Sequence, residues 1–115
     1  HWGDLNIDHR ITCQSVLTVC RPYPAQVVKE IYSFEIPSST EWSSPSVENN
    51  FSPNYFVDIG ETIDLKISAL RAYDQEMHDF PHSRSIENIE HLAKWRGASI
   101  GVLSAECFSI IRQCV

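Results

Sequence analysis

The 115-residue chain has the size of one ordinary domain, and its 43% hydrophobic and 10% aromatic content argues for a packed core over a disordered polymer. A net charge of −6 and a pI near 5.2 argue against nucleic acid or an anionic membrane as a partner. No stretch of the sequence approaches the roughly 20 apolar residues of a membrane span.

In chain order, the first expected element is a helix from His9 to Cys20. Ile11, Val16, Leu17 and Val19 with the two cysteines give it a mostly buried face. Asp8 has the right side chain for an N-cap, which would make His9 the first helical residue. Arg21-Pro22-Tyr23-Pro24 ends the helix, because each proline disfavours a helical residue before it. Val27 to Ile36 reads as a strand with apolar residues on both faces, as in a sheet covered on both sides, and helix followed by strand fits an α/β crossover. Residues 37–54 are rich in Ser, Pro and Asn and form the longest irregular stretch. Trp42 within it either stacks on a bound ring or anchors the loop to the core.

Asn54 to Ile59 is a short strand, turned by Gly60. Glu61 to about Met77 is the clearest helix, with Ile63, Ile67 and Leu70 as its apolar stripe. A loop over residues 79–85 leads to Ser85, an N-cap for a helix carrying Ile86, Ile89, Leu92, Ala93 and Trp95, with Gly97 as its C-cap. The apolar tail from Val102 to Val115 leaves helix and strand open on propensity. Neither an internal repeat nor a second domain is visible. The four cysteines, Cys13, Cys20, Cys107 and Cys114, show no C-x-x-C spacing, and Cys13 and Cys20 lie about two helical turns apart, too far for a direct disulfide. Buried free thiols in a reducing cytoplasm are the expectation.

The first ten residues hold the densest chemistry. His1, Asp4, Asn6, Asp8 and His9 stand directly before the first helix. An imidazole held rigidly at a helix start is a good metal ligand, and a neighbouring carboxylate can orient the ring or handle a proton. One Asp-His pair is equally an ordinary capped helix start with an exposed histidine.

Asp4-Leu5-Asn6-x-Asp8-His9-Arg10 resembles the C-terminal metal motif of the LmbE / PIG-L family of zinc-dependent N-acetyl-sugar deacetylases. Phe80-Pro81-His82-Ser83-Arg84-Ser85, Trp95-Arg96-Gly97 and Ala105-Glu106-x-Phe108 resemble closing motifs of one branch, in the same order and at similar distances. The resemblance runs from position 1 to about 112. It implies the C-terminal half of a Rossmann-like three-layer α/β/α domain, with Ala105–Arg112 extended, so that residues 1–115 form a single partial domain. The family's A-H-P-D-D-E motif, which supplies two zinc ligands and the catalytic aspartate, has no counterpart here and is expected in an N-terminal half.

The implied activity is hydrolysis of the acetamide of an N-acetylated sugar or amino-sugar conjugate by the intact cytoplasmic protein, the fragment being inactive alone. A non-catalytic sugar-binding or structural relative is the alternative. The resemblance makes His9 the one zinc ligand present and Asp8 a catalytic neighbour. Asn6 stands where many members carry a second histidine, and an amide cannot serve as a proton donor. His82 is therefore the candidate for the acid or oxyanion role, with Asn6, Trp42 and Arg84 as candidate substrate contacts. The expected partners are the substrate and either the N-terminal half or a second copy of the chain.

Overall fold

The computed structural model describes all residues, His1–Val115. The chain is mixed α/β, with three helices and a three-stranded antiparallel sheet of order β1-β3-β2. It divides into two compact units, one made of His1–Tyr55 with Phe108–Val115, the other of Phe56–Cys107. No helix is long and apolar enough to cross a membrane.

The first unit begins with α1 (Ile7–Val19). Asn6, not Asp8, is its N-cap: the Asn6 side chain accepts from the Asp8 backbone N–H at 2.9 Å. The cap falls there because the Asn6 N–H is itself held by Asp4 Oδ1 at 2.8 Å, a local turn that brings the chain into the helix two residues early. His9 is consequently the third helical residue, and Asp8 lies exposed in the first turn. At the other end Gln26 Nε2 donates to the carbonyls of Val19 (3.2 Å) and Arg21 (3.4 Å), meeting acceptors that the helix leaves open.

Contrary to the expected buried face, no residue of α1 is buried. Ile7, Ile11, Val16, Leu17 and Val19 all remain exposed, Val19 by 73%. Of the cysteines only Cys107 is buried; Cys13 and Cys20 are half-buried and Cys114 is exposed, and none forms a disulfide.

Strand β1 (Glu30–Phe34) is shorter than the apolar run. It buries Ile31 and Ser33, while Tyr32 on its other face stacks on Tyr55 with ring centroids 5.1 Å apart. It pairs antiparallel with β3 (Ala105–Gln113), from Glu30↔Gln113 to Phe34↔Phe108, with a register shift between Ile31 and Tyr32. The tail is thus extended, and Ile110 and Ile111 lie within its strand.

In the second unit β2 (Tyr55–Asp58, its first residue belonging to the first unit) leads to α2 (Ile63–Arg71). This helix stops well short of Met77. Asp74 takes the Gln75 N–H on its own side chain at 2.9 Å, and a single 3-10 turn at Asp74–Glu76 replaces the last helical turns.

Helix α3 (Ile86–Ala98) starts where expected, with Ser85 Oγ accepting from the Asn88 N–H at 3.0 Å. It packs on α2 and buries Ile89, Ala93 and Gly97, one stripe at four-residue spacing. Gly97 is not the C-cap. It is a helical residue whose missing Cβ lets the backbone of Ser104 approach: a Cβ there would lie 2.6 Å from Ser104 N and Cα. The left-handed turn that follows uses Gly101, at φ +80°.

Candidate functional site

The site of the first unit is built around Asp4, which is fully buried. Its carboxylate accepts from the Ser39 hydroxyl, the Thr40 hydroxyl at 2.9 Å and the Asn6 N–H at 2.8 Å. His9 Nδ1 stands 3.2 Å from the same Oδ1 and 3.4 Å from Ser39 Oγ. Since the Ser39 hydroxyl proton goes to Asp4, Nδ1 is the nitrogen that carries a proton toward Asp4. The lone pair of the neutral ring is then on Nε2.

Burial, the strongest single influence on Asp4, pushes its carboxyl upward. The hydrogen bonds from Ser39, the Asn6 amide, Thr40 and His9 together outweigh it and hold the group below the usual carboxylate range. Asp4 is therefore a charged acceptor that orients the imidazole.

The loop after β1 exists in this shape to deliver those donors. Thr40 Oγ1 also accepts from the Ile36 N–H at 2.8 Å, and Glu41 accepts from the N–H groups of Ser38 (2.6 Å) and Ser39 (3.3 Å). The Leu5 N–H donates to the Ser39 carbonyl at 3.3 Å, joining the loop to the helix entry. Trp42 stays 49% exposed.

The predicted residues fall in two groups. Asn6, Asp8, His9 and Trp42 belong to the first unit, His82 and Arg84 to the second. Asn6 spends its carbonyl oxygen on the helix cap, so a substrate contact from it would come through its NH₂ group. His82 Nδ1 accepts from the Arg84 N–H at 3.0 Å, which leaves the proton of the neutral ring on Nε2. The His78 and His82 ring centroids are 4.2 Å apart, and the Phe80-Pro81 bond before His82 is cis. The Arg84 side chain reaches Glu76 Oε2 at 3.3 Å, so an anionic ligand would share it with that carboxylate.

As a metal site, the chain fits one ligand and not a set. His9 Nε2 is suitably backed by Asp4, but no group of three or more His, Cys, Asp or Glu side chains could hold an ion.

Sequence reasoning named His1 and Asp4 but gave Asp4 no part in holding His9, and it missed Ser39 and Thr40. Asp4 carried a signal, an acid two residues before an asparagine cap, which is the local pattern of an Asx turn. Ser39 and Thr40 carried none, because they meet Asp4 across separations of 35 and 36 residues. No family model, no curated protein and no solved structure matches this chain.

Proposed function

We propose that this chain is the C-terminal part of a zinc-dependent amide hydrolase that removes the acetyl group from an N-acetylated sugar or amino-sugar conjugate. Its complete domain would have the Rossmann-like three-layer architecture of the LmbE / PIG-L family. The observation that carries the reading is the buried Asp4 carboxylate holding His9 Nδ1 at 3.2 Å, the carboxylate–imidazole arrangement that commonly backs a metal-ligating histidine.

When bound, zinc would supply Lewis-acid activation of the amide carbonyl and of water. His9 contributes one nitrogen, Nε2, and the other ligands come from residues outside this chain. Asp8, exposed in the turn beside His9, handles a proton. Trp42 offers a face for a sugar ring, and the Asn6 NH₂ a donor for its hydroxyls. The family resemblance gives His82, in the second unit, an acid or oxyanion role, and its neutral ring has an Nε2–H to donate. Arg84 steers an anionic part of the substrate.

The test is His9→Ala in the complete protein. Zinc content and deacetylase activity should disappear together. Unchanged zinc content excludes His9 as a ligand. The 115-residue chain by itself should hold zinc only weakly, and one tightly held ion per chain would overturn the division of ligands.

A further inference from the structure

In the second unit, residues of α2, α3 and the segment after α3 line a cleft of about 630 Å³, within the range that small ligands occupy. Its apolar lining is Ile63, Ile67 and Leu103. Ile67 is buried, whereas Leu103 stands 85% exposed, an apolar side chain that the protein itself leaves uncovered. The cleft shares no residue with the Asp4 and His9 group or with His82 and Arg84.

Four charged side chains line the same cleft, and they are not equivalent. On α3, Lys94 Nζ lies 2.7 Å from Glu90 Oε1 and holds the Glu90 carboxyl below its ordinary range, with a smaller contribution from Arg71. That pair answers its own charges. On α2, Asp64 lies in the first turn and Arg71 is the last residue. Neither makes an ion pair. Seven residues are almost two helical turns, so the two side chains share one face with their Cα atoms about 10.5 Å apart.

The cleft therefore offers an open carboxylate at one end of α2, an open guanidinium at the other, and apolar surface beside them. Its complement is a ligand with an ammonium and a carboxylate about 10 Å apart and an apolar middle. A single amino acid is too short, because an extended chain spans about 3.3–3.6 Å per residue.

We propose that this cleft binds an apolar peptide of about three residues with both termini free. Its ammonium meets Asp64, its carboxylate meets Arg71, and its middle side chain lies against Ile63, Ile67 and Leu103. Neither zinc nor acetamide hydrolysis enters the inference, so it stands apart from the hydrolase reading.

The experiment is a titration of the 115-residue chain with the peptide Ala-Leu-Ala, followed through backbone amide resonances. The peptide is used with both ends free, with its N-terminus acetylated, and with its C-terminus amidated. The free peptide should produce saturable shifts at Ile63, Ser68 and Lys94. Removing either terminal charge should weaken binding about fivefold, the upper end for a solvent-exposed ion pair. Two variants assign the ends. In D64N acetylation should no longer weaken binding while amidation still does, and in R71Q the reverse should hold. Both side chains are exposed, and each also complements the helix dipole. Loss of that stabilisation would not match one variant to one blocked end. Binding indifferent to both blocks, a penalty that survives in the matching variant, or the absence of saturable shifts at these residues would each overturn the assignment.

Discussion

Asp4 Oδ1 and His9 Nδ1 stand 3.2 Å apart, with the carboxylate fully buried and the imidazole about one-quarter exposed. The two side chains therefore have unequal structural weight. Asp4 satisfies three other donors besides His9, whereas Asp4 is the only acidic partner His9 has.

Replacing the buried partner should accordingly cost more than replacing the exposed one. Asp4→Asn turns an acceptor into a group with an NH₂ facing donors, and should destabilise the chain by about 2–4 kcal/mol. His9→Ala should cost less than about 1 kcal/mol. Urea unfolding of both variants checks the order, and equal losses would mean that Asp4 serves His9 alone.

The lowered Asp4 carboxyl also sets a pH dependence. Its folded value lies below the ordinary 3.8, so the stabilisation is complete well above pH 3.8. It is lost as pH falls from there through the folded value, because the unfolded chain takes up the proton first. Urea midpoints should drop across that acid window, and Asp4→Asn should flatten this part of the curve. An acid limb of the same height in Asp4→Asn would assign it to other carboxylates.

The two glycines near the end of α3 should respond to alanine for opposite reasons. Gly97→Ala gains roughly 1 kcal/mol in helix propensity. It nevertheless places a methyl 2.6 Å from the Ser104 backbone and 2.8 Å from the Val102 carbonyl, so the net effect should be a loss of about 1–3 kcal/mol. Gly101→Ala meets no atom within 4 Å but is held at φ +80°, so its cost, about 1–2 kcal/mol, is purely conformational. Thermal unfolding with a crystal structure of each variant distinguishes them: only Gly97→Ala should move residues 102–104.

His82 should matter to its own loop whatever it does for a substrate. Its Nδ1 holds the Arg84 N–H at 3.0 Å. His82→Ala should speed hydrogen exchange of the Arg84 amide by about tenfold, and His82→Asn, which can place an acceptor near the Nδ1 position, should restore part of the protection. On the proposed hydrolase reading, His82→Ala in the complete protein should also lower kcat by about 10²–10⁴-fold with zinc content intact, the range of one positioned catalytic group. A near-normal kcat would confine His82 to the loop.

How far the sequence could be read depends on the distance over which each feature is determined. Ser85 and the start of α3 were legible because a cap and the amide it meets lie three residues apart. Asp8 was the wrong cap because Asn6 and Asp8 are both good cap residues, and the choice between them is made by Asp4. The helix from Glu61 overran because periodicity continues past Arg71, while Asp74 diverts one backbone amide locally. The burial of α1 could not be read from its pattern, since an apolar stripe states what a helix would bury and not what the chain provides to cover it. The Asp4 cluster was invisible as a cluster because half of its donors come from the loop after β1.

Strand β3 also imposes an order on synthesis. Residues Phe56–Cys107 are continuous in sequence, so the second unit can complete its own contacts as soon as Cys107 has left the ribosome. The first unit cannot. β1 has left the ribosome long before its partner exists, and the Glu30↔Gln113 pair waits for a residue 83 positions further along the chain. Until then the open edge of β1 is exposed beside the apolar residues of α1, which stay exposed in the finished fold as well, a nascent state that invites pairing with other chains. A chain stopped at Cys107 should keep a folded second unit and lose the first, and a stalled ribosome carrying it would be a natural client for a holding chaperone.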